Sequence, residues 1–222
     1  MIWRSRTART LPPMTESQPT HVVPLEAGAG PENPPCPACG EPLFGWLAAR
    51  PYLRGPTSRC ESCGLGVVGA SSGAAEALRE LDRLGEEAAV RIVNRASFTC
   101  SLGGAGWSGL GPEAHYLFTV ESVRRLVAGR DQVVGSRRWA PLASLAITWQ
   151  SLLNSVTLGQ NVALGALGRG QAAPAPKTWQ RRIDALASIV LAIPALLIAV
   201  PLELAGGLLR RGAVYRLNFE LL

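Results

Sequence analysis

Two short stretches of the sequence, Cys36–Gly40 (CPACG) and Cys60–Gly64 (CESCG), share the pattern Cys-x-x-Cys-Gly. Two residues between the cysteines let the chain fold back, so that both sulfurs can face one ion about 2.3 Å away. The glycine after each pair can adopt the positive φ angle that such a turn requires. The two pairs are separated by twenty residues. This spacing predicts a structural zinc site of the zinc-ribbon type, with the ligands Cys36, Cys39, Cys60 and Cys63.

The alternative to metal binding is a pair of disulfides in a secreted domain. The start of the chain, Met1–Arg6, is basic but lacks the apolar region of a secretory signal, which favours metal over disulfides. A site with four protein ligands leaves no open coordination position, so the pattern predicts stabilisation rather than catalysis. The fifth cysteine, Cys100, has no neighbouring partner, and we interpret it as a buried free thiol in a reducing compartment.

The composition narrows the class of partner. The 222 residues are 47% hydrophobic and only 17% charged, with a net charge of +6 that comes almost entirely from arginine. Arginine favours either nucleic-acid phosphates or anionic lipid headgroups. The predicted ribbon contains only Arg50, Arg54 and Arg59 as basic residues, so a nucleic-acid-binding ribbon is the less favoured hypothesis.

The chain divides into four segments, which together predict a mixed α/β protein. Residues 1–34 contain repeated prolines and predict a disordered tail, within which Met14 is a second candidate for the start of translation. Residues 35–68 hold the ribbon. Residues 69–145 predict alternating helices and strands, and residues 146–222 predict hydrophobic helices followed by a terminal strand.

One part of the chain is similar to a known family. Asn94, Ser97, Trp107 and the stretch His115–Leu126 (HYLFTVESVRRL) resemble the C-terminal part of zinc-ribbon-bearing class I methyltransferases that use S-adenosylmethionine. By this resemblance His115 would lie on the substrate side and would be the candidate catalytic residue. The alternative for His115 is a loop histidine that is hydrogen-bonded to the backbone.

The resemblance covers residues 91–140 and leaves out the part of the family that binds the cofactor. Between Cys63 and Arg91 there is no room for the cofactor-binding half-sheet and no Gly-x-Gly loop, so no residue is assigned to S-adenosylmethionine. The resemblance therefore implies a degenerate methyltransferase-like region in a binding or accessory protein, beside a partner protein or an enzyme of glycan synthesis. An active methyltransferase that modifies a lipid-linked or cell-surface glycan precursor is the alternative.

Two apolar stretches predict helices near the C-terminus. From Trp139 to Gly168 there is no charged residue, and the apolar positions recur at helical spacing, as in a helix packed on a core or lying against lipid. A linker at residues 168–176 is rich in glycine and proline. The second stretch, Ala185–Leu202, is uncharged over eighteen residues, contains Pro194 and Pro201, and predicts a membrane segment.

The last strand limits the topology of that membrane segment. Apolar and polar residues alternate from Tyr215 to Leu221, which is typical of a half-buried strand, and the sheet that it could join precedes residue 140. We therefore expect Ala185–Leu202 to enter and leave the membrane on the same side, with a kink at its prolines. Arg182 and Arg211 would then share one compartment, at the cytoplasmic face of the membrane. The alternative is a helix buried in the core or in a dimer interface.

Overall fold

The computed structural model describes most of the chain after residue 32. The described residues are 33–48, 53, 55–70, 73–86, 89–111, 114–167 and 178–221. The predicted disordered tail lies outside this part except for residues 33 and 34, and so do Met14 and the predicted linker at residues 168–176. The mixed α/β class is confirmed for the described residues, which form two four-stranded sheets and six α-helices.

The first sheet contains the strands of the cysteine-bearing segment and one strand from farther along the chain. Its antiparallel strands follow one another in space as β1 (Leu43–Leu47), β2 (Thr57–Cys60), β3 (Gly66–Val68) and β6 (Tyr116–Leu117). Leu43 pairs with Cys60, so the chain leaving the first cysteine pair runs beside the strand that leads into the second. Strand β6 lies outside residues 35–68, and the predicted ribbon segment therefore shares its sheet with a later part of the chain.

The second sheet confirms the predicted C-terminal strand. Its antiparallel strands have the order β4 (Gly85–Glu86), β5 (Ala89–Val93), β8 (Val214–Leu221) and β7 (Gln132–Trp139). Strand β8 lies between two strands that precede residue 140, as its pattern required. Tyr215 and Leu217 are buried while Arg216 is exposed, which is the alternation expected of a strand with one face on a core.

Three short helices pack beside these sheets: α1 (Ala74–Arg83), α2 (Phe98–Gly103) and α3 (Val120–Val127). Thr119, the residue immediately before helix α3, is its N-cap, as the sequence predicts. The Thr119 side chain accepts a hydrogen bond from the backbone N–H of Ser122 at 3.0 Å, and the Ser122 hydroxyl accepts one from the N–H of Thr119 at 2.9 Å. This reciprocal capping satisfies two amides that have no partner inside the helix.

One hydrophobic core connects the two sheets. It includes residues from the first sheet, the second sheet and helix α3, among them Leu43, Leu65, Val67, Val90, Ile92, Val123, Leu126 and Leu217. Glu32–Leu222 accordingly forms one compact unit. The divisions predicted near residues 68 and 145 are divisions along the sequence, and the folded core crosses the first of them.

Three further helices carry the apolar C-terminal stretches: α4 (Pro141–Asn154), α5 (Val162–Ala166) and α6 (Thr178–Leu208). Helix α6 has 31 residues and is therefore about 46 Å long. It packs against the shorter helix α4, and the indole N–H of Trp149 in α4 donates to the backbone carbonyl of Ala192 at 2.9 Å.

Helix α6 does not turn back at its prolines, because it continues through both Pro194 and Pro201. A proline inside a helix removes one backbone hydrogen bond and costs roughly 3 kcal/mol. Packing on a neighbouring helix can offset this cost. The chain returns to its sheet because α6 packs on α4 and then enters β8, and not because it turns back at a proline.

Candidate metal centre and apolar helix surface

The four predicted cysteine ligands come together at one point. The sulfurs of Cys36 and Cys63 are 3.5 Å apart, as are those of Cys39 and Cys60, and all four lie within 4.8 Å of one another. In a tetrahedral site with metal–sulfur bonds of about 2.3 Å, the sulfurs are about 3.8 Å apart. Among the described residues, this is the group of cysteine, histidine and carboxylate side chains that could hold a metal ion.

The two cysteine turns have the same hydrogen-bond pattern. The N–H of Gly40 donates to the carbonyl of Cys36 at 2.8 Å, and the N–H of Gly64 donates to the carbonyl of Cys60 at 3.0 Å. The N–H of each first cysteine also donates to the carbonyl five residues later, at 2.7 Å from Cys36 and 2.8 Å from Cys60. Both glycines have positive φ angles, 78° at Gly40 and 74° at Gly64, as the sequence pattern predicted.

Thr119 holds the second cysteine turn in place. Its hydroxyl donates to the backbone carbonyl of Cys63 at 2.6 Å while it also caps helix α3. A Cβ atom at Gly64 would lie 3.0 Å from the Thr119 methyl group, a tight contact, so limited space adds to the positive φ angle in favouring glycine there. The metal centre is therefore attached to the N-terminus of α3 and is not an independent loop.

The donor set fits a metal ion that prefers sulfur and tetrahedral geometry. Three of the cysteines are almost fully buried and Cys39 is partly buried. All four are free thiols, with no disulfide between them. Thiolate sets of this kind suit zinc, and they are closed sites because every coordination position is taken by protein. The four cysteines together could bind a metal such as zinc.

The thiols influence one another's protonation when no metal is bound. A hydrogen bond with Cys63 lowers the pKa of Cys36 to about 5, and the same interaction, with burial, raises the pKa of Cys63. Burial raises the pKa of Cys39. Coordination by four thiolates therefore has to displace protons from Cys39 and Cys63, so metal affinity must decrease as the pH falls.

Arg95 is a residue at this centre that sequence reasoning missed. Its guanidinium donates to the carbonyl of Gly64 at 2.9 Å and lies 4.6 Å from the centroid of the Trp46 ring. Burial lowers the pKa of Arg95, and the nearby thiols oppose this effect. Four thiolates around a divalent ion would have a net charge of −2, which the cation of Arg95 would partly balance. No pattern in the sequence distinguishes this arginine from the others, because the contact joins residues far apart in the chain.

Cys100 is the buried free thiol that the sequence predicted. It is 3% exposed and packs in a second apolar cluster with Trp107, Leu110 and Leu117. Burial raises the pKa of its thiol to about 12, so the sulfur stays protonated and unreactive at neutral pH.

The residues that carry the methyltransferase resemblance have structural roles in this fold. Asn94 donates to the carbonyl of Gly212 at 3.0 Å, and Ser97 caps helix α2 by accepting from the N–H of Cys100 at 3.1 Å. The backbone carbonyl of His115 accepts from the N–H of Val68 at 2.9 Å. In the described part of the chain no side-chain hydrogen bond is made by the His115 ring. Its assignment as a catalytic residue stays a prediction.

Helix α6 has an unusual distribution of residues, because its outward side is apolar. Ile189, Ile193 and Leu197 are 74%, 71% and 70% exposed. In the described part of the chain, the stretch Arg182–Leu208 is the one helix whose length and composition would allow it to cross a membrane. The core helix of a soluble protein has a similar composition, but such a helix is mostly buried, whereas 11% of the apolar window of α6 is buried.

The inward side of α6 carries the two carboxylates of its described side chains. Asp184 accepts from the N–H groups of Leu158 at 2.8 Å and Gly159 at 2.9 Å. Glu203 accepts from the Trp139 indole at 3.0 Å, from the N–H of Ala213 at 2.9 Å and from the Thr148 hydroxyl at 2.6 Å. Both carboxylates are buried and fully engaged, as buried charges must be.

The buried side of α4 is polar in the same way. Gln150 and Asn154 are buried, and the Gln150 side chain donates to Asn154 at 2.8 Å and accepts from the N–H of Leu164 at 2.7 Å. Leu142 at the start of α4 and Val156, two residues after its end, are by contrast exposed. The polar face of this helix is therefore the buried one.

No protein-family model, curated protein or solved structure matches this chain.

Proposed function

We propose that this protein is a membrane-associated zinc-binding protein, with helix α6 embedded in the surface layer of the membrane. The observation that carries the proposal is the orientation of helix α6, whose polar side faces the protein and whose apolar side is exposed. Its buried side holds Asp184, Ser188 and Glu203, and its exposed side is a row of isoleucine, leucine and valine. In water such a surface is unfavourable, since monomeric soluble proteins rarely expose a large continuous apolar patch. Lipid acyl chains are an apolar environment in which the exposed side of α6 would be stable.

The packing of α6 favours a position parallel to the membrane plane over a position across it. Asp184 and Glu203 are about 28 Å apart along the helix and bind the same folded body. This separation is close to the thickness of a bilayer's hydrocarbon core, about 30 Å. A helix spanning the membrane would therefore bring that body into the hydrocarbon. A helix lying in the plane needs only its exposed side in the lipid.

The arginines at both ends of α6 agree with this position. Arg182 is exposed near the start of the helix, and Arg210 and Arg211 are exposed just after its end. In the proposed arrangement all three lie on headgroups of the same leaflet, where basic residues bind anionic lipids. The proposal thus keeps Arg182 and Arg211 in one compartment, although the helix does not turn back at its prolines.

We propose that the zinc site stabilises the fold and that the role of the protein is in binding or assembly. Four protein sulfurs leave no position for a substrate, so the metal would stabilise the first sheet and helix α3. Buried free thiols are typical of a reducing compartment, which favours the cytoplasmic face of the membrane. A partner in glycan synthesis rests on the methyltransferase resemblance alone.

The test of membrane position uses single cysteines at the two ends of α6. Arg182→Cys and Arg210→Cys are introduced separately in a background with Cys100→Ala, and sealed membrane vesicles are treated with an impermeant thiol reagent. We expect the two positions to behave alike, both labelled or both protected, because they lie at one leaflet. Labelling of only one position would show a spanning helix, and protein found wholly in the soluble fraction would show that α6 does not bind lipid.

A methyltransferase is the second candidate function, supported by the similarity of residues 91–140 to that family. The described strands pair only antiparallel, whereas nucleotide-type cofactors bind at the ends of parallel strands in doubly wound folds. We therefore expect no tight binding of S-adenosylmethionine to the isolated chain. Calorimetric titration of the detergent-solubilised protein measures this, and micromolar affinity would favour the enzyme over the accessory protein.

A further inference from the structure

A cavity of about 420 Å³ lies between the second cysteine turn, the start of α3 and the residues after α6. Its volume is within the range of small-molecule sites, roughly 300–1,000 Å³. Three arginines from separate elements line it: Arg124 in α3, Arg137 in β7 and Arg210 after α6. Their convergence depends on the tertiary fold, because these segments are distant in sequence.

Two of these arginines have no acidic partner. Within the described part of the chain, neither Arg137 nor Arg210 has a carboxylate within 4.0 Å. The Arg137 guanidinium lies 5.0 Å from the centroid of the Tyr215 ring, which limits its movement without neutralising it. Both cations are therefore available to a ligand.

The two glutamates that line the cavity are already engaged by other arginines. Glu121 accepts from Arg125 at 3.0 Å and lies 4.0 Å from Arg124, and Glu61 lies 3.7 Å from Arg59. Neither glutamate contacts Arg137 or Arg210. The side of the cavity formed by those two arginines thus keeps its positive charge.

The backbone at Arg210 places its side chain at this cavity at some cost. Its N–H donates to the carbonyl of Gly207 at 3.1 Å, and the N–H of Arg211 donates to the carbonyl of Gly206 at 2.6 Å. These are the two hydrogen bonds of a Schellman helix end, in which Arg210 occupies the left-handed position, with φ of 57°. Glycine is the usual residue there, because other residues are disfavoured at positive φ.

We propose that this cavity binds a phosphate group, carried either by a lipid headgroup or by a soluble phosphorylated compound. One planar guanidinium group can donate two parallel hydrogen bonds to phosphate oxygens. Two arginines without a carboxylate partner line this cavity. Leu208 and Leu209, immediately before Arg210, are 84% and 62% exposed. These leucines could contact acyl chains while the phosphate lies in the cavity, so the lipid source rests on the proposed membrane function and the soluble source does not.

The test compares variants that remove one cation each. Arg137→Gln and Arg210→Gly remove the two unpaired arginines, and the glycine also relieves the positive φ angle, so its unfolding midpoint should not fall. Arg138→Gln is the matched control, because Arg138 is exposed on the same strand and points to the opposite face from Arg137.

The first arm measures binding of inorganic pyrophosphate to the detergent-solubilised protein by calorimetry. The second measures flotation with vesicles of phosphatidylcholine alone or with phosphatidylglycerol added. For a lipid headgroup we expect tighter binding to the anionic vesicles, reduced about fivefold by each of the two cavity variants and unchanged by Arg138→Gln. For a soluble ligand the same pattern should appear with pyrophosphate alone.

The proposal is overturned if the cavity variants match wild type in both arms, or if Arg138→Gln reduces binding as much as they do. Failure of the wild type to float with either kind of vesicle contradicts the proposed membrane function instead. In that case the pyrophosphate titration alone decides whether the cavity binds phosphate.

Discussion

Replacement of Cys63 with serine is expected to release the metal and to unfold the cysteine-bearing strands. Structural zinc sites contribute roughly 10–16 kcal/mol of binding free energy at neutral pH, and that energy is available only in the folded state. Cys63 is also part of the core shared by both sheets, so the unfolding should extend to α3. Losing even about 4 kcal/mol would lower the unfolding midpoint by roughly 8–16 °C in a chain of this size.

The measurement is metal content per chain, with thermal unfolding followed in parallel. We expect one zinc per chain in the wild type and almost none in Cys63→Ser. Cys100→Ala is the matched control, because Cys100 is equally buried but lies outside the metal centre. This variant should keep its zinc, and its stability should fall only by the small amount that the loss of one buried sulfur atom causes. A wild-type protein that is folded without metal, or a Cys63→Ser variant with an unchanged midpoint, would contradict the prediction.

Two arginines on the exposed side of α6 are expected to remove the protein from the membrane. Ile189 and Ile193 are one turn apart and face outward. Each isoleucine buried against acyl chains contributes roughly 1.5–3 kcal/mol, which arginine does not, so the double variant Ile189→Arg/Ile193→Arg should bind membranes at least about a hundredfold more weakly. Folding should change little, since exposed substitutions usually shift stability by less than about 0.5 kcal/mol.

The control for this variant adds the same charge elsewhere on the surface. Leu84, which follows α1, and Val133 in β7 are exposed apolar residues outside helices α4 and α6. The variant Leu84→Arg/Val133→Arg should still pellet with membranes and resist extraction by salt. If the α6 variant also stays in the membrane, α6 does not embed the protein. If the wild type is soluble and the α6 variant converts a dimer into a monomer, the apolar side of α6 is a self-association surface.

Local patterns predicted several features correctly because each depends on a few adjacent residues. The repeated Cys-x-x-Cys-Gly turn determines its own geometry, since the glycine supplies the φ angle and the spacing aligns the sulfurs. Thr119 caps α3 because a hydroxyl at that position can reach the free amide of Ser122. The alternation from Tyr215 to Leu221 likewise required a strand with one buried face.

The direction in which the helices face could not be predicted from their pattern. Periodicity divides α4 and α6 into a polar and an apolar side, but it does not say which side meets the protein. The sequence therefore left a core helix and a lipid-facing helix as alternatives. Contacts between distant parts of the chain determine which side of α6 is buried, because Glu203 accepts hydrogen bonds from Trp139, Thr148 and Ala213. A buried carboxylate needs several donors, and only the folded chain brings these together.

The sequence alone determined the four cysteines that come together, the free thiol of Cys100, the cap of α3, the terminal strand and the presence of a long apolar helix. The tertiary structure decided that β6 completes the first sheet, that α6 runs through Pro194 and Pro201, and that Arg137 and Arg210 meet at one cavity. The physical reason is the range of the interactions. Turn geometry, capping and alternation act within a few residues, whereas strand order, helix orientation and the convergence of charges are determined by packing between segments that lie far apart in the chain.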